Sequence, residues 1–278
     1  MPDDLPLVDS HAHLQAPAFA ADVIEVLATA RLAGVARLLV PGWDEESSRA
    51  AIELSRADGT LDAAAGVHPH AAGSADEGTW AAIEELADDP RVVAVGETGL
   101  DYDRAFSPRE AQLTNLRRHL ELGRRLGKPV ILHCRSRPGQ HDAHDDLLRE
   151  LPDAGAGTPA WPLAEGRPPA LLHSFSGPPD YAERALAMGL AISFSGLVFR
   201  RGEEASEVVA RLTPADRLLV ETDSPYLSPP GASRRRNEPQ WVAITCRWLA
   251  DRRGEEPAAL GARLVANYDR MFGRSGGA

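Results

Sequence analysis

The chain has 278 residues, 30 basic and 41 acidic side chains for a formal net charge of -11, and a single lysine, Lys128, among 29 arginines. Such a length can bury roughly 75% of its unfolded surface, and 43% hydrophobic with 26% charged residues excludes a disordered, collagen-like or coiled-coil chain. Two cysteines make no disulfide framework, no apolar run reaches the ~20 residues of a membrane span, and Met1-Pro-Asp-Asp lacks the features of a secretory signal, so the expectation is a cytoplasmic, non-membrane protein with one domain over residues 1–278.

Taken in chain order, short runs rich in Val, Ile, Leu and Ala begin near Leu5, Val35, Leu61, Val92, Pro129, Pro169, Leu190 and Arg217. They are 21 to 40 residues apart, room for one helix in each interval, which is the signature of βα units around a parallel sheet. Between the fourth and fifth runs, Leu113, Leu116 and Leu120 share one helical face, while Arg117, Arg118, Glu121 and Arg124 lie elsewhere. Pro- and Gly-rich residues from about 152 to 169 read as a surface loop, with the 153–167 stretch an ordinary insertion. Asn237 is placed to cap a helix whose first turn tolerates Pro239 and whose buried stripe is Trp241, Thr245, Trp248 and Leu249. Leu260, Leu264, Tyr268 and Phe272 mark a last helix. Eight strand candidates in this length predict an α/β fold, a (β/α)8 TIM barrel; a doubly wound open sheet is the runner-up, weakened because no Gly-rich phosphate loop follows the first strand.

The chemistry-bearing residues stand at the ends of these runs. His11 and His13 follow the first, His68 and His70 the third, Glu97 lies in the fourth, His133 and His173 close the fifth and sixth, and Asp223 follows the eighth. In a barrel the C-terminal strand ends meet at one mouth, so residues distant in sequence can share an ion. Imidazole nitrogens and carboxylate oxygens are the donors expected of a divalent metal used for hydrolysis. By strand alternation His11 and His13 point to the same side, whereas Cys134 points away from His133 and reads as a small buried hydrophobe. His141 and His144, on the next helix, are expected in solvent. Ser174 and Ser176 lack a nucleophile elbow and read as loop hydrogen-bonders.

These residues resemble the successive motifs of the TatD-type metal-dependent hydrolases, within the amidohydrolase-like barrels: Asp9-Ser-His-Ala-His-Leu14, Gly66-Val-His-Pro-His70, Gly96-Glu-Thr-Gly-Leu-Asp-Tyr102, His173-Ser-Phe-Ser-Gly177, Glu221-Thr-Asp-Ser-Pro-Tyr226 and Asn237-Glu-Pro239. The resemblance runs from about residue 7 to 272. It implies that His11, His13, Glu97 and Asp223 hold one metal and that Glu97 bridges to a second held by His133 and His173. It also implies Mg2+ or Mn2+ as cofactor, with Zn2+ compatible, an activated water as nucleophile, Asp223 as general base and His68 binding the scissile phosphate or assisting the leaving group. The implied activity is deoxyribonuclease, of a 3′-5′ exonuclease type on single-stranded DNA or ends, with no obligate protein partner. A D-aminoacyl-tRNA deacylase on the same scaffold and a non-catalytic metal-binding barrel are the alternatives.

Further phosphate-binding candidates are His70, Arg135 and, in the run Arg234-Arg235-Arg236, Arg235; a solvated charge run is the competing reading. Asp9 reads as capping the turn after the first strand or as an acceptor orienting a liganding histidine, Asp101 as buttressing the loop after Glu97, and Glu221 as a structural partner. Ser174 stands where the family usually has cysteine, and Leu116 and His119 where it has phenylalanine and glutamine. Lys128 precedes the fifth strand, at the wrong end to be a carboxylated metal bridge, the role that Glu97 takes by resemblance. The acidic total disfavours broad binding of nucleic acid but permits a mouth made locally positive by two divalent ions.

Overall fold

Strands buried on both faces need continuous apolar runs, and each of the eight runs forms one. The computed structural model describes residues 5–158, 160, 161, 163 and 166–273. Its strands are β1 (Leu7–Asp9), β2 (Val35–Pro41), β3 (Leu61–Ala65), β4 (Val92–Asp101), β5 (Val130–Arg135), β6 (Ala170–Leu172), β7 (Ala191–Phe194) and β8 (Leu218–Val220). They form one parallel sheet in chain order. The ring is closed where the first and last strands meet: Ser10 N donates to Val220 O (3.0 Å), Asp223 N to His11 O (2.8 Å) and His13 N to Ser224 O (2.7 Å). This is the expected (β/α)8 barrel, with every strand starting within two residues of its sequence-predicted position.

The helices are α1 (Val23–Leu32), α2 (Glu45–Ala57), α3 (Glu77–Asp88), α4 (Arg109–Leu126), α5 (Asp142–Asp153), α6 (Pro179–Ala187), α7 (Ala205–Leu212), α8 (Val242–Arg253) and α9 (Pro257–Phe272). Asp44 caps α2 by accepting from Ser47 N (2.8 Å), while the Ser47 hydroxyl accepts from Asp44 N, a reciprocal capping box. The α4 face carrying Leu113, Leu116 and Leu120 is buried, as is the α9 stripe of Leu260, Leu264, Tyr268 and Phe272. No helix among the described residues is long and apolar enough to cross a membrane.

Three local expectations are corrected. Asn237 caps no helix: α8 begins at Val242, after a short 3-10 turn over Pro239–Trp241, and the Asn237 side chain donates to Thr222 O (2.9 Å). It ties the chain after β8 back to the strand end, and Trp241 and Trp248 are only partly buried. His144 is buried, its ring stacked on Tyr181 at 4.3 Å, because α5 turns that face toward α6; His141, just before α5, is exposed as expected. In the 153–167 stretch, Ala156 and Trp161 are buried, and Trp161 packs beside Gly123 of α4. That loop joins α5 to β6 at the end of the barrel opposite the strand C-termini, and it contributes to the core.

Candidate metal centre

Barrel geometry brings the strand-end residues together around one cavity of about 600 Å³. Glu97 sits where β4 is packed tightly on both sides: a Cβ on Gly66, just after β3, would lie 2.5 Å from Gly96 Cα, and a Cβ on Gly99, at φ +130°, would run into the His133 backbone of β5. Opposite, Asp223 takes a left-handed backbone (φ +54°), which aspartate tolerates, and its carboxylate faces the histidines of β1.

Two groups of donor atoms form. His11 Nε2 and His13 Nε2 are 3.2 Å apart, and Glu97 Oε2 lies 3.2 and 3.6 Å from them. Asp223 Oδ1 completes this inner group at 3.8 and 3.4 Å. The other oxygen, Glu97 Oε1, faces His173 Nε2 (2.9 Å), His133 Nδ1 (3.3 Å) and His68 Nε2 (3.2 Å). His133 Nδ1 and His173 Nε2 are themselves 3.3 Å apart. Donors bonded to one ion at about 2.1 Å lie about 3.0 Å apart at right angles and about 3.4 Å apart at the tetrahedral angle. Both groups therefore have the spacing of a coordination shell, and His11, His13, Glu97 and His68, Glu97, His133 each form a triad able to hold an ion, as do His11, His173 and Asp223. Glu97 divides its two oxygens between the groups.

Outer partners fix the rings. His173 Nδ1 sits 3.1 Å from Glu221 Oε1, and the second Glu221 oxygen accepts from Ser193 Oγ. One Asp101 oxygen faces His70 Nε2 (2.7 Å) and His133 Nε2 (3.4 Å), and its partner oxygen accepts from Asp103 N and Arg104 N. Asp101 thus shapes the following loop and orients two imidazoles at once. Asp9 accepts from His11 N (3.2 Å), Thr222 N (2.9 Å) and the Thr222 hydroxyl (2.5 Å), clamping the backbone of β1 to that of β8.

Charge follows from this packing. Burial pushes the Glu97 carboxyl up, but His173, His68 and His11 outweigh it and hold the group well below its ordinary value. Asp223 likewise stays low against burial, through its hydrogen bond to His13 and the charge of His11. Burial also lifts Asp101, and hydrogen bonds from His133 and His70 override it downward. His68 is driven down to about 4 by burial, despite Glu97 beside it, and is a neutral imidazole at pH 7.

The remaining candidates separate. His70 and Arg135 line the cavity, Arg135 Nε paired with Asp103 Oδ2 at 3.0 Å. Arg235 is exposed outside it, as is Arg234, while Arg236 is locked to Asp22 (2.8 Å) and Glu238 (2.6 Å) above the Phe19 ring. Cys134 corrects the alternation argument: β5 ends at the rim, both His133 and Cys134 line the cavity, and burial pushes the Cys134 thiol up to about 12. Ser174 and Ser176 are loop hydrogen-bonders as expected, to Ser195 Oγ (2.7 Å) and Glu203 (2.9 Å). Trp43, Arg104 and Glu203 also line the cavity and were not singled out from sequence. Arg104 follows the Glu97 motif by two residues, a signal within reach; Glu203 lies between β7 and α7 with no apolar run to mark it.

The chain matches the family model described as TatD related DNase over residues 8–273. It is 40% identical over 273 residues to the "3'-5' ssDNA/RNA exonuclease TatD" of Erwinia billingiae, spanning 96% of this chain and 98% of that one. It is 37% identical over 273 residues to the protein of the same description in Escherichia coli K12, spanning 96% and 99%. Among solved structures, the TatD homologue YJJV of Escherichia coli K12 superposes with a TM-score of 0.84 at 28% identity over 97% of this chain and 99% of that one. An organophosphorus hydrolase of Deinococcus radiodurans shares the fold alone, with a TM-score of 0.63 at 16% identity over 96% of this chain and 93% of that one.

Proposed function

The chain belongs to the TatD related DNase family, and from that membership we propose that it is a cytoplasmic 3′-to-5′ exonuclease of single-stranded DNA that works with two divalent ions. The observation that carries the proposal is the division of Glu97, one oxygen to each donor group. The inner ion is assigned to His11, His13, Glu97 and Asp223, the outer to Glu97, His133 and His173. This imidazole-rich set suits Mn2+ or Zn2+ better than Mg2+, which prefers oxygen. The unpaired cysteines, Cys134 and Cys246, fit a reducing compartment.

When bound, two divalent ions acidify a water and offset the charge gathering on the phosphoryl oxygens. The chain's own groups do the rest. Asp223, held ionised by His13 and His11, takes the proton of the attacking water. His68, neutral at pH 7, presents an N–H to a phosphate oxygen. His70 and Arg135 are assigned to the flanking phosphates. Glu221 and Asp101 hold His173 and His133 in place, so that the donor atoms face Glu97 without reorganisation.

The test is chelation followed by Mg2+, Mn2+ or Zn2+ add-back on end-labelled single strands. Metal-restored release of mononucleotides from the 3′ end is expected; no cleavage with any ion, or hydrolysis of D-aminoacyl-tRNA in preference to DNA at equal enzyme, overturns the proposal. Glu97→Gln is expected to abolish two-ion stoichiometry in calorimetry and to lower kcat by more than about a hundredfold, since loss of an outer partner alone typically costs ten- to a hundredfold. A variant that keeps both ions and near-parent turnover refutes the bridge.

A further inference from the structure

Of the fifteen Phe, Tyr and Trp side chains, all within the described residues, two are exposed: Phe106 at 69% and Tyr226 at 58%. Both stand at the mouth. Phe106 packs edge-on against His70, with ring centroids 4.7 Å apart and planes at 83°. Tyr226 packs edge-on against His13 at 6.0 Å and 69°, with Trp43 on the same histidine at 5.2 Å. Phe106 rises from the loop after β4 and Tyr226 from the loop after β8. In a closed ring of eight strands in chain order these are diametrically opposite. The two donor groups lie between them.

A large aromatic left in water costs free energy, and two of them on opposite sides of a charged cavity, Tyr226 in its lining and Phe106 beside it against the lining residue His70, call for flat apolar ligands on either side of an anion. An unpaired strand has that pattern, a phosphate flanked by two bases. We propose that Phe106 and Tyr226 are base-stacking platforms on either side of the scissile phosphate, with the 3′-terminal base on Tyr226 and the next base toward the 5′ end on Phe106. This rests on the exonuclease reading above and deepens it.

The direction follows from charge. The strand continues on the 5′ side and carries further phosphates there, so that side needs cations. Arg104, two residues before Phe106, lines the cavity and is exposed, with no ion pair among the described residues. Around Tyr226 the lining is His13, Asp223, Leu197 and Leu227, without an arginine or lysine to meet a further phosphate, and Arg234 and Arg235 of the same loop stay outside. Stacking on both platforms requires each base to leave its duplex partner, which selects single strands.

The experiment is steady-state cleavage of short single-stranded DNA with Mn2+, using parent protein, F106A, F106W, Y226A and Y226F. Each alanine variant is expected to lower kcat/KM roughly tenfold, mainly through KM, because stacking is sequence-tolerant binding that alanine removes. F106W and Y226F keep the ring and are expected to stay near the parent. With an abasic 3′-terminal residue the Y226A penalty should vanish while that of F106A persists; with an abasic penultimate residue the pattern should reverse. Alanine variants that cleave like the parent, or penalties indifferent to both abasic positions, overturn the platforms. An exchanged abasic pattern overturns the assigned direction. A parent that cleaves no oligonucleotide with any ion overturns the exonuclease reading itself, a result distinct from active parent and unaltered variants.

Discussion

His119 is a buried imidazole that works only when neutral. Its Nε2 accepts from Val67 N (2.9 Å) while Nδ1 sits 2.8 Å from Asn115 O, so α4 holds the strand end that precedes His68. Burial drives its pKa from 6.5 down to about 4. The unfolded chain therefore binds this proton more readily than the folded one. The stability it contributes is complete above about pH 6.5 and is lost as pH falls through about 4. His119→Gln, which does not titrate, should gain on the parent by roughly 2 to 3 kcal/mol between pH 7 and pH 4.5. Parallel denaturant titrations at the two pH values check it; a parent-to-variant difference independent of pH sinks it. At this scale the sequence is most legible where residue type and strand end coincide, which is why His11, His13, Glu97, His133, His173 and Asp223 stand out. It is least legible where a role depends on a partner from another loop. Asp101 serves His70 from the loop after β3 and His133 from β5, and Glu203 meets Ser176 across the rim; neither relation leaves a local pattern.

Elements were legible in proportion to their periodicity. Strands buried on both faces announce themselves as unbroken apolar runs, and the α4 and α9 stripes recur at helical spacing. The turn around Asn237 deceives because Asn two residues before Pro is also a helix-start pattern, whereas here the side chain answers the Thr222 carbonyl. The loop after α5 deceives for a different reason: a lone Trp161 among Pro and Gly has no period to reveal its burial. Trp161→Ala should cost roughly 3 to 5 kcal/mol, the range for emptying a large aromatic site, read as a lower Tm. Because that loop lies at the far end of the barrel, kcat with saturating metal should be unchanged, and Trp161→Phe should recover part of the stability. A variant with parental Tm, or with lost turnover despite a folded barrel, contradicts this placement.

The whole molecule carries its acidity into the mouth. Four carboxylates, Glu97, Asp101, Glu203 and Asp223, line the cavity beside two guanidiniums, Arg104 and Arg135. His173, held against burial well above the ordinary imidazole value by Glu97 and Glu221, offsets part of that charge but is itself paired with those carboxylates, so most of the positive charge offered to a phosphodiester is left to the two assigned ions. Metal-free protein should show no measurable affinity for a single-stranded oligonucleotide in fluorescence anisotropy, and a non-cleavable phosphorothioate strand should bind once Mn2+ is restored; equal affinity in both states would refute the charge argument. The same ions should raise Tm, since they bind the folded barrel and not the open chain. The seam where the ring closes has a consequence for the chain while it is being made. Ser10 bonds to Val220 across 210 positions, and His11 and His13 meet Asp223 only at that seam. Synthesis delivers the histidines first and the aspartate last, and domains fold as units. A nascent chain still short of β8 lacks both the seam and the carboxylate assigned as base, so turnover is expected only once nearly the whole barrel has left the ribosome.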